Sequence, residues 1–148
     1  MLKGLDPLLS PDLLYVLAAM GHGDDLAIVD ALHPAERIGK ATTHGKAVRL
    51  PGADIVAVVR AVLTLLPVDD FVDDPVRRMA VVGAPEEIPA VQGLVQREVD
   101  AAVGRSLPMV AVERFAFYEA ERQAYAVIQT GDVRPYGCFL IRKGIVRL

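Results

Sequence analysis

His22 stands between two glycines in Met20-Gly21-His22-Gly23-Asp24-Asp25, where a helical pattern stops and the apolar run Leu26-Ala27-Ile28-Val29 begins. An imidazole changes charge near neutral pH, so a rigidly held loop histidine can donate a proton and take it back. The flanking glycines allow close approach of a ligand and unusual backbone angles. The position also has a structural reading, since a histidine just after a helix can cap its last carbonyls. Asp30 closes the apolar run. An acid there lies at the carboxyl end of a strand, where open α/β sheets hold ligands, although an aspartate can equally cap the next turn.

A second group of residues is distant in sequence. Arg114-Phe115-Ala116-Phe117-Tyr118-Glu119 and Tyr136-Gly137-Cys138 combine directional donors with aromatic faces. Arg114, Tyr118 and Tyr136 can hydrogen-bond hydroxyls in fixed directions, and an aromatic face can lie against the C–H side of a sugar ring. The alternatives are core packing for the phenylalanines and a salt bridge for Arg114. Cys138 borders an apolar strand, where a buried inert thiol is the ordinary role and a nucleophile the rarer one.

Other chemistries lack support. His22, Asp24, Asp25, Asp30 and His33 crowd into a dozen residues, but no H-x-x-x-H, C-x-x-C or 2-His-1-carboxylate pattern is met, so no metal site is expected. No G-x-G-x-x-G or G-x-S-x-G motif is present. The pairs Asp69-Asp70 and Asp73-Asp74 read as a solvated loop.

The elements that must position these side chains follow from capping and periodicity. Ser10-Pro11-Asp12 starts a helix running from Leu13 to about Met20. Leu26 to Val29 reads as a strand buried on both faces. His33 to Lys46 reads as loop, followed by a strand over Ala47 to Leu50. Asp54 to Leu66 is apolar over more than half its circumference, which predicts a buried helix ended by Pro67. Strands are expected over Met79 to Val82, Met109 to Val112, Ala124 to Gln129 and Phe139 to Ile141, and helices over Pro85 to Val103 and Arg114 to Arg122. Alternating strands and helices with a strand-rich end predict a three-layer α/β/α fold on a mixed, mainly parallel sheet.

The totals narrow the setting. At 148 residues one domain, 1–148, is expected. Sixteen basic and 19 acidic residues give a net charge of -3 with no basic stripe, so nucleic acid is not an expected partner. No apolar run approaches the ~20 residues of a membrane span, and the start of the chain does not read as a signal peptide. A single cysteine fits a reducing, cytoplasmic setting. The mean hydropathy of +0.35 without a membrane segment suggests apolar surface covered by other copies in a homo-oligomer.

Taken together, Leu8-Leu9-Ser10-Pro11-Asp12-Leu13-Leu14, Met20-Gly21-His22-Gly23-Asp24, Asp30-Ala31, Pro34-Ala35, Arg114 to Glu119, Tyr136-Gly137 and Arg142-Lys143-Gly144 resemble the L-fucose mutarotase and D-ribose pyranase family, on its fucose branch. The resemblance implies a cofactor-free enzyme that interconverts the ring forms of L-fucose or a related free sugar. It also implies a decamer of two pentamers with sites at subunit contacts. By motif match, His22 corresponds to the catalytic acid and Asp30, Arg114 and Tyr136 to sugar-contacting positions, while Tyr118 lies in a matching motif. Cys138 stands where the fucose-type motif Tyr-Gly-Asn has its amide, which bears on the choice of sugar. His33 stands where the family more often has an aromatic or apolar residue. The alternative from another class is a monosaccharide-binding or sugar-transport accessory protein without turnover.

Overall fold

The first helix starts where its sequence signals lie. In the computed structural model, which describes residues 1–148, the Ser10 hydroxyl accepts the Leu13 N–H at 3.3 Å and Pro11 opens α1 (Pro11–Ala19). The chain continues through β1 (Asp25–Val29), α2 (Ala35–Gly39), β2 (Ala47–Leu50), α3 (Ile55–Leu63) and β3 (Val76–Met79). It ends with α4 (Ala90–Val103), β4 (Val110–Val112), α5 (Arg114–Arg122), β5 (Ala126–Thr130) and β6 (Cys138–Arg142). Asp54 caps α3 by accepting the Ala57 N–H at 3.0 Å, and Glu113 caps α5 through the N–H groups of Phe115 and Ala116.

All six strands form one sheet, ordered β2-β5-β1-β6-β3-β4. β1 pairs with β5, β5 with β2, and β3 with β4 in parallel; β6 alone runs against its neighbours β1 and β3. Alternate residues of β1 face opposite layers, as a pleat requires. Leu26 and Ile28 pack with Leu13, Val58, Val62 and Val95 under α1, α3 and α4. Ala27 and Val29 pack with Ile38 and Phe117 under α2 and α5. The expected α/β/α layering on a mixed, mainly parallel sheet is what the chain adopts.

The differences have physical causes. The stretch expected to be entirely loop contains α2, one and a half turns whose Ala35, Ile38 and Gly39 are buried. The strand expected at Met79 to Val82 lies three residues earlier, through two arginines whose guanidinium groups find acceptors distant in sequence. Arg77 reaches Asp25 at 2.5 Å, and Arg78 reaches Gln92 Oε1 at 3.0 Å inside the protein. α4 starts after Pro89 rather than at Pro85, since proline has no N–H to give a preceding turn. α3 stops at Leu63, three residues short of Leu66. β5 begins and ends later than expected, and β6 takes in Cys138 and Arg142 at its ends.

Candidate active site

Five strands end on one edge of the sheet, and the antiparallel β6 begins there. This places Asp30 after β1, Met79 at the end of β3, Arg114 at the start of α5 and Tyr136 and Cys138 at the entry to β6 around one pocket of about 220 Å³. Leu32, His33, Tyr118 and Pro135 complete its wall. The volume is below the roughly 300–1,000 Å³ of sites for drug-sized ligands, which suits one small molecule. A larger pocket of about 420 Å³ lies near Leu66 and Val103, where Thr64, Asp69, Asp70 and Arg105 join a mostly aliphatic lining.

Asp30 is the buried acid of the pocket. Its Oδ1 accepts the Leu32 N–H at 2.9 Å, and its Oδ2 accepts the Cys138 S–H at 3.4 Å. Burial pushes the carboxyl above its ordinary value, with the Cys138 hydrogen bond pulling the other way. Both sequence readings of Asp30 thus hold geometrically: it caps the local turn and it faces the pocket. Arg114 makes no salt bridge. Its Nε donates to the Tyr118 hydroxyl at 3.0 Å, and the guanidinium lies 5.5 and 5.6 Å from the ring centres of Phe115 and Tyr118. The two terminal nitrogens keep their donors for a ligand.

Tyr136 has φ +64°, the only non-glycine residue in the left-handed region. This conformation is held from behind by Gln92, fully buried on α4, which donates to the Tyr136 carbonyl at 3.0 Å and the Met79 carbonyl at 2.8 Å. The Tyr136 hydroxyl accepts the Val82 N–H at 3.2 Å. Cys138 is buried, and desolvation pushes its thiol well above its ordinary value, which favours the protonated donor over a nucleophilic thiolate.

His22 is elsewhere. It precedes β1, whereas Asp30 follows it, and a five-residue strand is about 17 Å long. The structure therefore brings Asp30, Arg114, Tyr118, Tyr136 and Cys138 together and leaves His22 on the opposite edge of the sheet. There its side chain is 42 % exposed, its Nε2 lies 3.1 Å from Asp69 Oδ1, and its ring packs 5.0 Å from Phe71. It does not cap α1, because Lys143 Nζ takes the Leu17 and Met20 carbonyls at 2.8 and 2.6 Å. Gly23, at φ +87°, donates its N–H to the Lys143 carbonyl at 2.9 Å, which anchors the histidine loop to the end of β6.

Asp69 was expected in a solvated loop and is instead 3 % exposed. Burial pushes its carboxyl up, but the Phe71 N–H and His22 outweigh that and hold it below its ordinary value. Sequence reading also missed Glu121, fully buried and 2.7 Å from His33 Nε2. No group of three or more His, Cys, Asp or Glu side chains is placed to hold a metal ion.

The profile of the RbsD / FucU transport protein family matches residues 3–146. The chain belongs to this family. Among RbsD/FucU relatives, the L-fucose mutarotase of Histophilus somni (strain 2336) is 39 % identical over 145 residues, covering 98 % of this chain and 97 % of that protein. The crystal structure of FucU from Bifidobacterium longum superposes with a TM-score of 0.90 at 35 % identity, covering 98 % of this chain and all of that one. The fucose mutarotase of Streptococcus pneumoniae in complex with L-fucose matches at a TM-score of 0.89 and 31 % identity, over 99 % of this chain and 100 % of its own.

Proposed function

We propose that this RbsD/FucU protein is a monosaccharide mutarotase that interconverts the anomers of L-fucose or a closely related free sugar. The observation that carries the reading is the gathering of Asp30, Arg114, Tyr118 and Tyr136 around one small pocket, in a chain 31 % identical to a fucose mutarotase bound to L-fucose. Residues 1–148 act as one catalytic domain. Ring opening needs only proton transfers: the anomeric hydroxyl loses a proton while the ring oxygen gains one. The aldehyde then rotates, and closure on its other face reverses both transfers. No cofactor is required for this chemistry.

The roles divide between the two edges of the sheet. Arg114 and Tyr136 hold sugar hydroxyls, Asp30 accepts a hydroxyl proton or hydrogen bond, and Tyr118 orients Arg114. His22 supplies the exchangeable proton, and because it lies on the far edge of its own chain, it reaches the pocket of a second copy. The active unit is therefore a homo-oligomer, and the family resemblance favours a decamer of two pentamers. No helix is long and apolar enough to cross a membrane. The single cysteine fits a reducing compartment, and we place the protein in the cytoplasm.

Saturation-transfer NMR on equilibrated L-fucose tests the reading. Anomer exchange far above the buffer rate, lost in His22→Ala, is expected. Exchange at the buffer rate together with sugar affinity by calorimetry would instead make the protein a sugar-binding or transport-accessory module.

A further inference from the structure

A line of buried hydrogen-bonding groups runs inward from Asp30, and the proposed chemistry uses only that end of it. Glu121 Oε2 on α5 lies 2.7 Å from His33 Nε2, His33 Nδ1 lies 3.3 Å from Cys138 Sγ, and Cys138 Sγ lies 3.4 Å from Asp30 Oδ2. All four side chains are less than a tenth exposed, and Glu121 Oε1 has no hydrogen-bond partner. The rings of Phe117 and Tyr118 stand edge-on to the imidazole, whose side chain is 2 % exposed. The neighbouring cations are Arg122, whose field reaches Glu121, and Arg114 at the pocket.

With both end carboxylates ionised, the line has one arrangement of its donors. An ionised carboxylate only accepts, so Nε2–H points to Glu121 and S–H points to Asp30. A third proton placed on Nδ1 completes the line by donating to sulfur. The same three protons have a second arrangement. If the Nδ1 proton passes to sulfur while the thiol proton passes to Oδ2, His33 is neutral and Asp30 is a carboxylic acid that donates back to sulfur. No proton enters or leaves. Two bare buried carboxylates would be costly, and desolvation pushes both Asp30 and Glu121 upward, so a shared proton is favoured over none.

We propose that Cys138 and His33, backed by Glu121, are positioning residues that share a proton with Asp30 and so set the charge and orientation of the carboxylate that faces the sugar. This rests on the mutarotase reading for its consequence, though not for its existence. In the first arrangement Asp30 is an ionised acceptor for a sugar hydroxyl, with its charge balanced through the thiol by His33. In the second it is a neutral donor. The line lets one residue serve both directions of ring opening and closure without exchanging protons with solvent.

Cys138 is the only cysteine, so the infrared S–H stretching band of the sugar-free protein belongs to it alone. The band is expected below the position of a free thiol, and to move in Asp30→Asn and again in His33→Gln. A band at the free-thiol position, unmoved by either substitution, would overturn the proposal. Kinetics supply the second arm. Cys138→Ala should lower the exchange kcat by roughly tenfold to a hundredfold with a smaller change in KM, the scale of losing a hydrogen bond to a charged group. Cys138→Ser, which can still donate and accept, should recover most of it. Equal loss in both variants, or no loss in the alanine variant, contradicts the relay. A wild type that exchanges no free sugar while its S–H band is displaced would remove the mutarotase reading and leave the relay standing. An active wild type with an undisplaced band would do the reverse.

Discussion

The chain carries two histidine–carboxylate pairs, one on each edge of its sheet. His22 and Asp69 meet at 3.1 Å with the imidazole 42 % exposed, whereas His33 and Glu121 meet at 2.7 Å with both side chains sealed from water. The two pairs join the same groups but differ in access and in their acids: Asp69 is held below its ordinary value by the Phe71 N–H and His22, whereas burial pushes Glu121 above its own. An exposed imidazole oriented by a buried acid can hand its proton to a ligand brought up to it. A sealed one communicates only through what it touches, here Cys138 and through it Asp30. One edge therefore offers an exposed imidazole beside Asp69, and the other the pocket that Asp30 faces, with Glu121 sealed behind His33. A working site on this account needs one edge from each of two copies.

The comparison can be broken at the exposed pair first. His22→Ala should reduce anomer exchange by about 10²–10⁴-fold, the usual worth of a positioned acid or base, with a small drop in melting temperature because the buried Asp69 loses a partner. A variant that keeps wild-type exchange by NMR would remove His22 from the chemistry. Asp30→Asn should also abolish most exchange, yet raise the melting temperature at neutral pH. The native carboxyl sits above its ordinary value, so its burial costs stability at neutral pH and that cost is relieved as pH falls toward the ordinary value. An amide removes the cost. Calorimetry showing a lower melting temperature would mean that the carboxylate stabilises the fold instead.

Asp132 gives the opposite sign. It is held well below its ordinary value of 3.8, first by Arg134 and then by the N–H groups of Arg134 and Ile55. Its contribution is complete above the ordinary value and is lost as pH falls below it. Asp132→Ala should destabilise the protein by about 1–3 kcal/mol at pH 7, because the buried Ile55 N–H loses its acceptor, and should flatten the acid limb of stability against pH. Denaturant titrations at pH 7 and pH 3 would show whether the two curves converge. The smallest effect is expected at Phe71, whose ring lies against His22. Phe71→Ala should cost about 0.5–1.5 kcal/mol in the exchange barrier, the scale of an aromatic pair, with little change in KM.

Much of this arrangement was legible in the residues, and the illegible part has a common cause. Ser10-Pro11, the run Leu26 to Val29 and the apolar stripe of α3 announce their elements because capping and burial are local properties. Asp30, Arg114 and Tyr136 were singled out by their types and their resemblance to the family's motifs, and the structure gathers them around one pocket. β3 was misplaced because Arg77 and Arg78 look wrong for a buried strand until Asp25 and Gln92, distant in sequence, are seen to satisfy them. Asp69 looked like one of four acids in an exposed loop, and its burial depends on β6 and the His22 loop closing over it. Glu121 lies in a charged helix that gives no sign of which face His33 will meet 88 residues away. Tyr136 takes a glycine-like φ that only Gln92 explains.

The central claim is that one site is assembled from the histidine edge of one copy and the pocket edge of another. Co-expressing His22→Ala with Arg114→Ala tests it directly, each variant alone having lost anomer exchange. Random mixing in a shared-site oligomer leaves about a quarter of the sites with an intact His22 facing an intact pocket, so exchange by NMR should return to about a quarter of wild type. Mixed oligomers that stay as inactive as either parent would contradict the account.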